Sequence, residues 1–183
     1  MTPIISWLLF ALMVVSGRGA CPRIISRAEW GARRPTKETN LNTPVQYAII
    51  HHSTGNNCYD RNSCQALVRG YQKHHMESNG WDDIGYSFVI GGDGSVFEGR
   101  GWDKVGSHTQ GYNGDGLGFC LTGEFTSVLP TQAQLNALRD LLDCGVSRGK
   151  LRSTYTLRGH KDMKATQCPG NRLYQEIKTW PRY

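Results

Sequence analysis

Residues 45–51 read VQYAIIH, an apolar, β-branched run closed by a histidine. A short continuous run of this kind reads as a buried strand. Working outward, IGYSFVIGGDGSVFEG (84–99) places two apolar runs around a Gly-Gly-Asp-Gly turn, which predicts a hairpin. GLGFCLT (116–122) and TYTLRGH (154–160) are two more strands, the second again ending in a histidine. Helical spacing lies between them. Asn62 or Ser63 is expected to cap a helix from residue 64 to about 78, with Leu67, Val68, Tyr71 and His75 near one face. Thr131 followed by Gln134 has the form of a capping box and predicts a helix through Leu135, Leu138, Leu141 and Leu142 to Gly145. A final amphipathic helix is expected over 171–180, stopped by Pro181. Strands alternating with helices predict the α/β class: a single domain with a central mixed β-sheet flanked by about three helices.

Composition agrees with one domain. The chain has 183 residues, 38% of them hydrophobic, six cysteines and a formal net charge of +6. That length suffices to bury a core. Apolar residues spread along the chain exclude disorder, and the cysteine content is below the roughly 8–10% of disulfide-stapled miniproteins. The run IISWLLFALMVV (4–15) is shorter than the about 20 residues a membrane span requires. It has the length of a signal-peptide core, followed by the small residues Ser16, Gly17, Gly19 and Ala20, although no Lys or Arg precedes it. Residues 1–20 are therefore expected to be a signal peptide, and 21–183 a secreted, extracellular domain. No second hydrophobic run exists, so no transmembrane segment is expected. No Lys/Arg cluster or aromatic-basic stripe suggests nucleic acid.

Three residues at or beyond strand ends form a candidate metal set: His51, His160 and Cys168. Two imidazoles and a thiolate leave one tetrahedral position open, as at a catalytic rather than a structural zinc. Spacing alone leaves alternatives. A strand-end histidine is more often a hydrogen-bonded structural residue, and a cysteine in a secreted protein is by default half of a disulfide. No His-Glu-x-x-His occurs, which excludes that metalloprotease motif.

The stretches IIHHSTG (49–55), DIGYSFVIGGDGSVFEGRGW (83–102), GSHTQGYN (106–113) and RGHKDMKATQCPGN (158–171) resemble the peptidoglycan recognition proteins, relatives of the N-acetylmuramoyl-L-alanine amidases. The resemblance covers residues 21–183 and includes zinc amidases as well as zinc-free binders. It implies that His51, His160 and Cys168 hold Zn2+, and that Tyr86 hydrogen-bonds the reacting water or oxyanion. Thr166 is implied to orient or stabilise the oxyanion. It also implies bacterial peptidoglycan and its muropeptides as partners. The groove would draw on His52 and His75, on Gly80-Trp81, a pair associated with diaminopimelate-type stems, and on Arg100 and His108. The arginine that some members carry before this pair is Asn79 here. Without residues 1–20 the net charge is +5, compatible with anionic wall fragments. The resemblance further implies disulfides Cys58–Cys64 and Cys21–Cys144, leaving Cys120 as a buried thiol. A Cys120–Cys168 disulfide without metal is the competing pairing.

Overall fold

The run at 45–51 does form an interior strand, β2 (Val45–His52), with neighbours on both sides. The computed structural model describes residues 21–183, and the expected signal peptide over 1–20 lies outside them. Among the described residues the other strands are β1 (Ile24–Ile25), β3 (Phe88–Ile90), β4 (Val96–Glu98), β5 (Gly116–Leu121) and β6 (Leu151–Gly159). They form one sheet in the order β1-β4-β3-β5-β2-β6. Its neighbouring strands are parallel except in the β3–β4 hairpin. The sheet is thus mixed, as expected.

Side chains alternate across a strand, and β2 and β5 use this to serve two cores. Ala48, Ile50, Leu117, Phe119 and Leu121 pack on one face against Leu135, Leu138 and Leu141 of α3 (Gln132–Ser147) and Leu173 and Ile177 of α5 (Asn171–Ile177). The opposite face joins Val89, Phe97 and Cys120 to Trp30 of α1 (Arg27–Trp30) and Cys64 and Val68 of α2 (Arg61–Glu77). His51 follows Ile50 and so belongs to this second face, with Cys120 directly opposite it in register. The sheet therefore aims His51 away from the α3 core.

Local chemistry shifts several boundaries. Helix α2 starts earlier than expected because Asp60, rather than Asn62 or Ser63, is the cap: its carboxylate accepts from the Asn62 and Ser63 N–H groups at 3.0 Å each. Thr131 and Gln134 do form the reciprocal capping box. Residues 84–87 precede β3 rather than belonging to it. Their backbone groups are committed elsewhere: the Ile84 carbonyl accepts from Arg100, and the Gly85 carbonyl from the Ser107 N–H. His160 does not end a strand. It opens the single-turn α4 (His160–Met163), one residue after β6. Helix α5 stops at Ile177, short of the expected Trp180.

Cys21 pairs with Cys144 and Cys58 with Cys64, while Cys120 and Cys168 are free. Denatured protein should therefore titrate two thiols before reduction and six after. No free thiol before reduction would mean that Cys120 and Cys168 are joined.

Candidate metal and substrate site

Parallel β2 and β6 end at the same edge of the sheet, where Ile50 pairs with Gly159. The next residues in each chain direction are His51 and His160, whose rings lie 4.5 Å apart between centroids. Cys168 arrives from the segment between α4 and α5. The three donor atoms all lie within 4.8 Å of one another. The His51 Nδ1 to Cys168 Sγ distance is 3.7 Å. Nitrogen and sulfur ligands on a tetrahedral zinc stand about 3.6 Å apart, given the usual bond lengths. The residues present therefore fit the metal.

Electrostatics favour the same reading. Burial, reinforced by His108, His160 and His52, holds His51 well below the usual imidazole range. Burial also lowers His160, with help from His52 and Lys164. Both rings are thus neutral, the form that coordinates a metal. Burial pushes the Cys168 thiol up to about 12, opposed by the His52 N–H that donates to its sulfur at 3.4 Å. A thiol held this way ionises when a cation supplies compensating charge.

A cavity of about 350 Å³ opens over these donors. Its walls include His52, Trp81, Tyr86, His108 and Thr166. Burial pushes the Tyr86 phenol well above its usual range, so it stays protonated and able to donate. Thr166 Oγ1 accepts from the Cys168 N–H at 3.2 Å, which shapes the turn that presents the sulfur. His52 Nδ1 accepts from the Phe125 N–H at 3.4 Å, placing the proton of the neutral ring on Nε2. Gly80 adopts φ 69° just past α2, a left-handed turn suited to glycine. That turn lets Trp81 stack on His75 at 4.8 Å.

Three expected groove residues do not line this cavity. His75 lies beneath Trp81, and its Nδ1 accepts from the Gly85 N–H at 3.0 Å. Gly80 sets the turn. Arg100 donates to the Ile84 and Val105 carbonyls and to Ser107 Oγ at 2.7, 2.9 and 2.9 Å, so its guanidinium braces the loop. Conversely, Ser53, Thr54, Ser107 and Gln167 line the cavity without having been singled out. All four sit within or beside the quoted motifs, but nothing in their residue types announced the role.

Fold and site together define an α/β domain with three candidate metal donors gathered at one end of its sheet. The family described as N-acetylmuramoyl-L-alanine amidase matches residues 41–171, a span that contains all three donors. Peptidoglycan-recognition protein SC2 of Drosophila simulans is 42% identical over 160 residues, with 87% of each chain covered. The human N-acetylmuramoyl-L-alanine amidase is 43% identical over 170 residues, which cover 89% of this chain and 29% of that longer protein. The solved structure of peptidoglycan recognition protein-LE in complex with tracheal cytotoxin, a monomeric diaminopimelic acid-type peptidoglycan, superposes with a TM-score of 0.86. It is 43% identical and covers 87% of this chain and 95% of that one. The chain belongs to the N-acetylmuramoyl-L-alanine amidase family, in its peptidoglycan-recognition branch.

The histidines give a pH prediction. Burial, then His74 and Arg100, lowers His75 to about 4, and burial lowers His108 to about 3. Each is depressed below the unfolded value of 6.5. The unfolded chain therefore binds more protons in that window, and stability falls as pH drops through it. The thermal midpoint of metal-free protein should decrease from about pH 7 to about pH 4.5. A level or rising midpoint would contradict the neutral assignment.

Proposed function

We propose that this protein is a secreted, zinc-dependent N-acetylmuramoyl-L-alanine amidase of innate immunity, exported by a signal peptide over residues 1–20. It binds bacterial peptidoglycan and hydrolyses the amide between the lactyl group of muramic acid and L-alanine of the stem. The observation that carries this reading is the convergence of His51, His160 and Cys168 within 4.8 Å at a cavity that also contains Tyr86. His51, His160 and Cys168 would hold the metal, which when bound supplies Lewis acidity to the scissile carbonyl and an acidified water.

The chain's own residues supply the rest. Tyr86, kept protonated, donates from its phenol to the oxygen that gains charge as the amide is attacked. Thr166 holds the Cys168 turn through the backbone and so fixes the sulfur's direction. His52, with its proton on Nε2, is a donor for a substrate carbonyl. Trp81, 37% exposed, offers a flat apolar wall for the sugar or stem, and Ser107 and Thr54 line the cavity with hydroxyls.

A diaminopimelate-type stem is the favoured substrate. Gly80 adds no side chain beside Trp81, and the relative whose solved structure contains such a ligand is 43% identical. Asn79 supplies no cation for the extra carboxylate, and Arg100 is spent on the loop, so discrimination against lysine-type stems should be modest.

Incubation with a defined muropeptide should release free stem peptide, and chelation should stop it. Cys168→Ser should remove the activity while leaving the fold intact. Tyr86→Phe should lower kcat about 100- to 1000-fold, the usual cost of one oxyanion donor. Binding of peptidoglycan with no release by the unaltered protein would instead establish a non-catalytic receptor. Equal rates for Cys168→Ser and the parent would remove Cys168 from the ligand set.

A further inference from the structure

His51 has two ring nitrogens, and only Nδ1 faces Cys168. The other, Nε2, lies 3.2 Å from His108 Nδ1 and 3.4 Å from Thr109 Oγ1. Both partners are themselves buried, with 8% and 1% exposure. Thr109 Oγ1 and His108 Nδ1 are in turn 3.0 Å apart. These three atoms form a closed triangle at the base of the cavity.

Proton counting decides what the triangle does. A neutral imidazole carries one N–H, so a bare Nδ1 on His51 requires the proton on Nε2. That N–H needs an acceptor, and both available atoms belong to the loop at 106–113. With a proton on the far side of its ring, His108 presents a lone pair at Nδ1. Its Nε2 is buried without a hydrogen-bond partner among the described residues, so no bond on that side holds either tautomer and the choice rests on the contacts that Nδ1 makes to His51 and Thr109.

The loop is built to hold this pair in place. Asn113 Oδ1 accepts from the backbone N–H groups of His108 and Thr109 at 3.1 and 2.8 Å. The Ser107 N–H donates to the Gly85 carbonyl at 2.8 Å, and Arg100 reaches Ser107 Oγ. On the other side the His108 ring lies flush against Gly118 of β5, where any Cβ would collide with the ring itself. Glycine at 118 is thus what lets an imidazole sit beside the sheet at this point.

We infer that His108, with Thr109, is the positioning residue that sets the tautomer and orientation of His51, leaving Nδ1 free as a metal donor, rather than acting chiefly as a wall of the substrate groove. This rests on the zinc reading of the site, but its first test does not. Groups that hold the remote nitrogen of a ligating histidine typically change metal affinity about 10- to 100-fold when removed.

Long-range 1H–15N spectra of metal-free, unaltered protein should show His51 protonated on Nε2. A proton on Nδ1 would overturn the inference whether or not zinc binds. Zinc competition against a chelator supplies the second arm. His108→Leu should weaken zinc about 10- to 100-fold, with the His51 proton redistributed between its nitrogens. His108→Asn, whose side-chain oxygen can stand near the former Nδ1, should recover most of the affinity. If the unaltered protein binds zinc and His108→Leu binds it equally well, His108 is not a positioning residue. If the unaltered protein binds no zinc, the function proposed above fails, and the tautomer alone decides this inference. Should His108→Leu not fold, Thr109→Val removes one of the two acceptors and should weaken zinc in the same direction. An unchanged affinity together with an unchanged His51 tautomer in that variant would count against the pair.

Discussion

An imidazole buried near the end of an interior strand must satisfy both of its nitrogens or lose the energy of desolvating them. His51, 1% exposed, is that group, and much of the surrounding structure answers to it. The α4–α5 segment brings Cys168 to one nitrogen, and the loop at 106–113 brings His108 and Thr109 to the other. Arg100 and Asn113 are spent on holding that loop, and Gly118 clears space for it. The same constraint gathers the three candidate donors at this end of the sheet, beneath the cavity lined by Tyr86 and Thr166.

The charge pattern of the site follows from that burial. Neutral imidazoles and a thiol that ionises on metal binding would leave a divalent ion with net positive charge facing the cavity. No carboxylate joins the donor set among the described residues. Glu124 is 3.6 Å from His52 Nδ1 and also accepts from Thr126. A divalent ion held there would be suited to stabilising a developing oxyanion. Tyr86, whose burial preserves its proton, complements the same charge.

Much of the architecture was legible because its signals are local. A run rich in apolar and β-branched residues marked β2, and Thr131 with Gln134 marked the start of α3. Asp60 was overlooked as the α2 cap because Asn62 and Ser63 are equally good capping residues by type, and only the backbone path selects among them. Residues 84–87 looked like strand because Ile84 and Tyr86 lead directly into the apolar run at 88–90, yet tertiary partners claim their backbone. The convergence of the candidate donors was suggested by motif but not by spacing, since parallel register, which brings Ile50 beside Gly159, is a long-range property. Arg100 was read as a groove cation because its sequence gives its charge and not its partners. His108 does line the cavity, as expected, but its contact with His51 could not be read from the sequence, because which nitrogen faces which neighbour depends on packing against Gly118.

The central claim is that two histidines and one cysteine form a zinc centre at the end of this sheet. Its most direct test is elemental analysis of the protein purified without added chelator, alongside folded Cys168→Ser. About one zinc per chain in the parent, lost in the variant, is the expected result, as for a site with three protein ligands. A folded parent that neither retains nor takes up zinc, or a Cys168→Ser chain that holds it as tightly, would contradict the claim.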